Sequence, residues 1–333
     1  MKKPERFNKH WKVSIFMVLA VLACVSGIAV AQETAQTASG TAWWFWPLCM
    51  FFFTFTIGLI APVSGVGGGV LFVPIATAFF PFSMDFVRGT GLIMAMMSAF
   101  SSTPHLMKKG LANLKLMAPI LIVSTVMSII GGVVGLWITN AFPSGKYYLT
   151  IALGVVLFII FIVMSKAKKL EFPEVKEIDS ISKMLDISGA WFEPNLNKVV
   201  HYRTTKMPIG LFAFAVVGMI AGMFGLGAGW ANVPVLNMIM GAPIKVATST
   251  SMAIITVNDA AAAWIYISNG ALLPLVLIPA VIGISAGARI GAKIAEKAKP
   301  TFVRYLVMII LLLAGIIDII KGLGGLGVIP KII

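Results

Sequence analysis

The sequence predicts an all-α polytopic membrane protein made of two inverted-topology repeats. Each repeat holds about five hydrophobic helices, with short glycine-broken helices at the centre. Three observations predict it. The 333 residues are 59% hydrophobic and 11% charged, with mean hydropathy +0.97, and apolar runs near the roughly 20 residues needed to cross a bilayer recur along the chain. Those runs are unalternated, which selects helices over a barrel as the structure that satisfies its own backbone in lipid. A glycine-rich stretch also occurs twice, 160 residues apart without a gap: Gly58, Gly65, Gly67, Gly69 and Pro74 pair with Gly218, Gly225, Gly227, Gly229 and Pro234, and the register runs on through Thr90 with Thr250 and Gly110 with Gly270. Repeated apolar segments interrupted by glycine at matching places point to a transporter's binding site.

The elements follow in order. Residues 1–12 carry five Lys/Arg and precede an apolar run to Ala31, so 1–31 is a signal peptide or a first transmembrane helix. Either reading leaves residue 32 outside the cytoplasm. Membrane repeat 1 covers 42–165, with helices expected at 43–63, 67–80, 88–107, 116–139 and 147–165. Trp43, Trp44 and Trp46 open the first as interfacial anchors. The charged stretch 166–206 reads as a small solvated cytoplasmic linker. Membrane repeat 2 covers 207–322, with helices expected at 207–224, 228–241, 247–268, 271–290 and 303–320. Cys24 and Cys49 lie in apolar runs and fit no disulfide or metal pattern.

Counting each short second segment as a crossing gives five passes per half, so the halves run in opposite senses. The cytoplasmic stretches are then 1–12, 64–66, 108–115, 166–206, 242–246 and 289–304, and they hold 22 of the 26 Lys/Arg. That bias is the positive-inside rule. It accounts for the net charge of +14 without nucleic acid. Re-entrant short segments would put the basic linker outside, and are rejected.

The glycine clusters admit three readings. A nucleotide loop fails, because no Lys-Ser/Thr follows Gly69 or Gly229. Close helix packing is one live reading. The other is a break between half-helices, whose restarting helix offers free N–H groups and a positive dipole end to an anion. On that reading Gly67, Gly68, Gly69, Gly227, Ala228 and Gly229 supply backbone donors near the midplane, facing one another from opposite sides.

Thr248, Ser249, Thr250 and Ser251, with Thr90 as repeat partner, read first as helix N-caps and second as neutral donors to an oxyanion. Ser98, Ser101 and Ser102 line the same expected cavity. Asn258 and Asp259 are the sharpest polar signal, since an acid in mid-membrane is costly and usually functional. Their repeat equivalents are Ser98 and Ala99. Asp259 is the candidate proton-coupling residue and Asn258 a polar ligand. A structural, paired or protonated Asp is the rival reading. Trp230 and Asn232 shape the pocket or pack. His105 reads as interfacial, Asp85 and Arg88 as a weak ion pair at an external turn, and Asp318 has no evident partner. The three His at 10, 105 and 201 are poorly spaced for a metal. With no triad, cofactor motif or paired carboxylates, an enzyme has little support.

Gly65-Val66-Gly67-Gly68-Gly69-Val70-Leu71-Phe72-Val73-Pro74 and Gly225-Leu226-Gly227-Ala228-Gly229-Trp230-Ala231-Asn232-Val233-Pro234-Val235-Leu236 resemble the paired motifs of the TauE/SafE sulfite exporter family, also called the 4-toluene sulfonate uptake family. Ala247-Thr248-Ser249-Thr250-Ser251 matches its pattern too. The resemblance spans roughly 45–165 and 207–320, and departs at Arg88-Gly89-Thr90-Gly91, where a more hydroxyl-rich run is expected. It implies a prokaryotic plasma-membrane permease for small anions, often sulfur-containing. The expectation is therefore a secondary transporter of a small anion, probed against two alternatives: an anion channel, and a membrane scaffold or sensor acting through 166–206.

Overall fold

The computed structural model describes residues 44–64, 66–80, 82–107, 112–166, 173, 175, 178–184, 187–193, 198–295 and 300–330. The first repeat contains α1 (Phe45–Ser64), α2 (Gly69–Phe79), α3 (Met84–Met107), α4 (Leu114–Ala141) and α5 (Gly145–Lys166). The second contains α7 (Met207–Phe224), α8 (Gly229–Pro234) continued by a π-helical turn (Val235–Ile239), α9 (Ile244–Ser268), α10 (Pro274–Ala295) and α11 (Pro300–Gly325). Between them lie α6 (Ser180–Met184) and an antiparallel hairpin of β1 (Ser188–Glu193) and β2 (Lys198–Arg203). A helix falls on each of the ten segments expected from hydropathy. The signal-peptide or first-helix segment 1–31, with Cys24, lies outside the described residues.

Seven of the described helices are long and apolar enough to cross a bilayer: α1, α4, α5, α7, α9, α10 and α11. α2 is a shorter apolar helix. α3 is long but carries Asp85, Arg88 and several hydroxyls, and most of its residues are buried by the others. Lipid is kept for apolar faces such as Ile122, Val126 and Trp137 on α4 and Phe212 on α7, all exposed.

Each helix of one repeat packs on a helix of the other, and the pairing is reciprocal. α1 lies against α10, and its counterpart α7 lies against α4. α3 meets α9, and α5 meets α11. Small residues set the first two interfaces. A β-carbon on Gly58 would fall 2.5 Å from the Ile284 carbonyl, and one on Gly218 would fall 2.5 Å from the Ser124 carbonyl. Backbones that close replace side-chain interdigitation, as membrane helices with spaced small residues do. Gly283, Gly287 and Gly291 face α1 in the same way. Thr54 adds a hydrogen bond from its hydroxyl to the Ala280 carbonyl at 2.8 Å.

Both short helices fold back along the helix before them. Trp46 at the start of α1 touches the rings of Phe80 and Phe82 beyond α2. Likewise the Thr205 N–H, just before α7, donates to the Met240 carbonyl just after the π turn at 3.0 Å. The π turn follows Pro234, which has no N–H to give, and Asn237 closes it by donating to the Ala242 carbonyl at 2.8 Å.

The linker is more structured than a solvated connector. Asn113 caps α4 by accepting from the Leu116 N–H at 3.0 Å, while its amide donates to the Tyr202 hydroxyl at 2.8 Å and the Ser188 carbonyl at 3.4 Å. This ties the hairpin to the membrane helices. Burial raises the Tyr202 pKa, and the bond from Asn113 offsets that in part.

Candidate functional site

The site is built where α1 and α7 stop. α7 ends on Gly225, whose φ of +72° is a left-handed helix cap that glycine adopts without steric cost. Gly67 (φ +82°) and Gly227 (φ +71°), exact repeat partners, turn the chain into the next helix. The restarts match bond for bond. Leu71 and Phe72 donate to the Gly68 carbonyl at 3.3 and 3.0 Å, and Ala231 and Asn232 donate to the Ala228 carbonyl at 3.3 and 3.1 Å. The N–H groups of Gly69 and Val70, and of Gly229 and Trp230, precede the first intrahelical bonds of their helices.

The two breaks touch. A β-carbon on Gly69 would fall 2.7 Å from the Leu226 carbonyl, and one on Gly229 would overlap the Val66 carbonyl. Val66 and Leu226 are themselves repeat partners, so the contact is reciprocal. Around it, α3 brings Ala95 and α9 brings Ile255, also repeat partners, against both glycine turns. The stretches Val66–Gly69 and Gly225–Asn232 are buried. The sequence reading that put 64–66 in a cytoplasmic loop is corrected: Val66 sits inside the bundle, because its carbonyl seats the opposite break. Gly65 lies outside the described residues.

Asp259 and Asn258 stand at the second break. The Asp259 Oδ2 lies 2.7 Å from where a β-carbon on Gly227 would stand. Its other oxygen accepts from the Asn258 amide at 3.2 Å. Asn232, Asn258, Asp259, Ser98, Thr90 and Ser251 are fully buried, and Trp230 nearly so. Among the described residues, the Ser98, Thr90 and Ser251 hydroxyls, the Trp230 indole nitrogen, both polar atoms of the Asn232 amide, Asn258 Oδ1 and Asp259 Oδ2 have no hydrogen-bond partner. Each orphaned buried polar atom is costly, and these eight sit on α3, α8 and α9, the helices that carry or flank the two breaks. The face of α3 through Gly91, Ala95 and Ser98 and that of α9 through Ser251, Ile255 and Asn258 follow the same helical spacing.

Other expected residues are committed elsewhere. Thr248 to Ser251 are not N-caps: α9 begins at Ile244, and they lie one turn inside it. Thr248 is half-buried and donates back to the Ile244 carbonyl at 2.9 Å. Thr250 accepts the Asn113 N–H at 3.1 Å, which joins α9 to α4 and the linker hairpin. Ser249 is buried, and Gly68 is held by Ile284 and the Met94 carbonyl. Ser102 donates to the carbonyls of Ser98 and Ala99 within its own helix. His105 lies in α3.

Arg88 and Asp85 are the clearest correction. Arg88 is fully buried instead of flanking an external turn. Its guanidinium pairs with Asp85, donates to the Thr139 hydroxyl at 2.9 Å and the Met223 carbonyl at 3.1 Å, and stands 5.5 Å over the Tyr266 ring. One residue of α3 thus joins α4, α7 and α9. Arg88 opens the stretch to Gly91 that departs from the family's pattern, and a buried cation there needs a partner inside the bundle. Asp318 is likewise fully buried, with neither oxygen hydrogen-bonded among the described residues. No group of three or more His, Cys, Asp or Glu suited to a metal occurs among the described residues.

Comparison with known proteins agrees with this architecture. A family model described as "Sulfite exporter TauE/SafE" matches residues 49–317. The probable membrane transporter protein YunE of Bacillus subtilis is 25% identical over 274 residues, covering 80% of this chain and 94% of the relative. The probable membrane transporter protein MJ0441 of Methanocaldococcus jannaschii is 26% identical over 277 residues, covering 79% of this chain and 91% of the relative. No solved structure gives a significant match. With the family model spanning most of the chain and both breaks, the protein belongs to the TauE/SafE sulfite exporter family and is a multi-pass membrane transporter.

Proposed function

We propose that the protein is a secondary transporter that carries a small anion, a sulfur oxyanion or organosulfonate, across the prokaryotic plasma membrane by alternating access. The observation that carries this reading is the reciprocal contact of the two glycine breaks, with unpartnered buried donors around it. The first N–H groups of α2 and of the α8 segment, the Trp230 indole, the Asn232 amide and the Ser98 and Ser251 hydroxyls are neutral donors. Donors of this kind hold an anion without a fixed counter-charge. The substrate class rests on the family's description.

The two repeats are read as inverted, with the linker cytoplasmic. Support comes from where helices begin. α7 starts at the linker, while its counterpart α1 starts beside Phe80 and Phe82 at the other end. Repeats of opposite sense that share one central site can expose it to either side by a rocking motion.

Asp259 gives the coupling its chemistry. An ionised carboxylate beside Gly227 repels an anion, whereas a protonated one is a donor. Anion and proton would therefore bind together, making Asp259 the coupling residue and Asn258 its orienting neighbour.

Uptake of radiolabelled sulfite, sulfate, thiosulfate and small organosulfonates into proteoliposomes tests the reading. Saturable flux accelerated by counter-substrate is expected. Unitary currents without saturation would favour a channel, and absence of any anion flux would overturn the proposal.

A further inference from the structure

A second feature lies away from the breaks. A cavity of about 670 Å³ opens at the end of the bundle where α5 begins and α11 finishes. The linker joins α5 at its opposite end, a 22-residue helix away, which is roughly 33 Å. The cavity also receives the C-terminal end of α2, the start of α3 and the end of α4.

Its chemistry is two-sided. Lys146 and Lys321 line it, and Asp85 is the acidic residue in the lining. Asp85 is already engaged by the buried Arg88, so the lysine charges dominate. Lys321 donates to the Thr77 and Ala78 carbonyls at 3.2 and 2.5 Å, which caps the negative end of α2. An ammonium has three N–H donors, so one direction remains after those two bonds. Lys146 is exposed, with its ammonium 4.9 Å from the centre of the Tyr147 ring. Asp318, one helical turn before Lys321, is fully buried and is not part of the lining. The lining is also aromatic: Phe80 and Phe82 stack at 5.8 Å, and both border the cavity with Tyr147.

Charge gathered in a concave, low-dielectric mouth concentrates counter-ions there. Size and walls then narrow the ligand. A volume in this range fits a small organic molecule, and a bare inorganic oxyanion would leave the aromatic wall untouched. We propose that this cavity binds an organic anion, with Lys146 and Lys321 taking its charged group and the Phe80, Phe82 and Tyr147 rings taking its apolar or aromatic body. The binding does not depend on the transport reading; only its role as an entry point to the central site rests on that reading. α2, an 11-residue helix, links the two places, since it starts at one break and its last turn is capped by Lys321.

Lysine footprinting on the purified full chain tests this without any transport step. Lys146 is acylated with an amine-selective reagent and read by mass spectrometry, and the exposed Lys293 at the far end of α10 serves as reference. Benzoate is the aromatic anion probe, sulfite the inorganic one and benzyl alcohol the neutral one, all at one ionic strength. With a Kd near 1 mM, benzoate at about 10 mM leaves roughly a tenth of the sites open and slows Lys146 acylation about tenfold. Lys293 should not change, and benzyl alcohol should not protect. Lys321→Gln and Phe82→Ala should each lose most of the protection, with folding checked by thermal melting. Protection by sulfite equal to that by benzoate would overturn the organic-anion assignment. Equal slowing at Lys293, or none at Lys146, would overturn the site. Either result leaves the proteoliposome experiment at the glycine breaks unaffected.

Discussion

The carbonyl oxygen of Leu226 stands 2.7 Å from the place a β-carbon on Gly69 would take, and the Gly91 carbonyl stands 2.6 Å from it. Backbone fills the space on both sides, so neither neighbour can swing away as a side-chain end could. Gly69→Ala and Gly229→Ala should each cost about 1–3 kcal/mol through overpacking, and should stop transport by prising the breaks apart. Gly270 has φ +67° and nothing within 4 Å. Gly270→Ala should cost only the backbone term, about 1 kcal/mol, and keep transport. Melting temperature with uptake rate separates the cases. Equal behaviour of all three would mean that the contact between breaks does not matter.

Arg88 presents a different dependence. Removing its partner strands a buried guanidinium, and such losses cost about 3 kcal/mol or more. Asp85→Ala should sit near that lower figure, because Thr139 and the Met223 carbonyl still hold Arg88. Replacing both charges, Asp85→Leu with Arg88→Met, should be less harmful than Asp85→Ala alone. Tyr266→Phe, which removes the hydroxyl donated to the Gly222 carbonyl at 2.9 Å, should cost about 1 kcal/mol. Denaturation of the four proteins in one detergent checks the order.

Hydropathy and the repeat made the helices legible, because lipid allows few alternatives to a long apolar helix. The pairing of Gly67 with Gly227 led to two turns whose φ angles agree within about ten degrees. Asp259 and Asn258 stood out because charge in an apolar run is rare, and both lie against the second break or beside it. Arg88 escaped because its position near a helix start looked like a surface, and only the fold-back of α2 and α3 puts α4, α7 and α9 around it. Thr250 looked like a cap or ligand, yet it is held by Asn113 from a helix 137 positions away in sequence. Contacts of that range leave no local pattern. The linker hairpin was missed for a related reason, since Asn113, which ties it to α4 through Ser188 and Tyr202, lies 75 and 89 positions away in sequence.

Asp259 should separate coupling from translocation. If it carries the proton, Asp259→Asn should lose accumulation driven by an imposed pH gradient yet keep exchange of external for internal anion, since exchange needs no net proton movement. Parallel uptake and counterflow assays in proteoliposomes read the two. An unchanged pH response in the variant would end the coupling role. Ser98→Ala serves as a comparison at the repeat partner of Asn258: it removes a donor without a charge, so affinity should fall while the pH response stays.

The linker should carry a pH dependence of its own through Asp179. Burial works to raise its pKa. The side chain and backbone of Ser182 and the backbone N–H groups of Met207 and Lys206 outweigh that, and hold the carboxyl below its ordinary value. Ser182 donates from its hydroxyl at 2.5 Å, and the Met207 N–H donates at 3.3 Å, so the carboxylate fastens α6 to the first turn of α7. A lowered folded pKa adds stability that is fully present above the ordinary carboxylate value, about 4, and lost as pH falls through the folded value. Limited proteolysis of the 166–206 segment should therefore stay slow from pH 7 to about 4 and quicken below. Asp179→Asn keeps an acceptor but no charge. It should be cleaved faster at neutral pH and show little further change on acidification. If both proteins showed the same acid profile, the fastening would have to lie elsewhere, with the Asn113 and Tyr202 pair the next to remove.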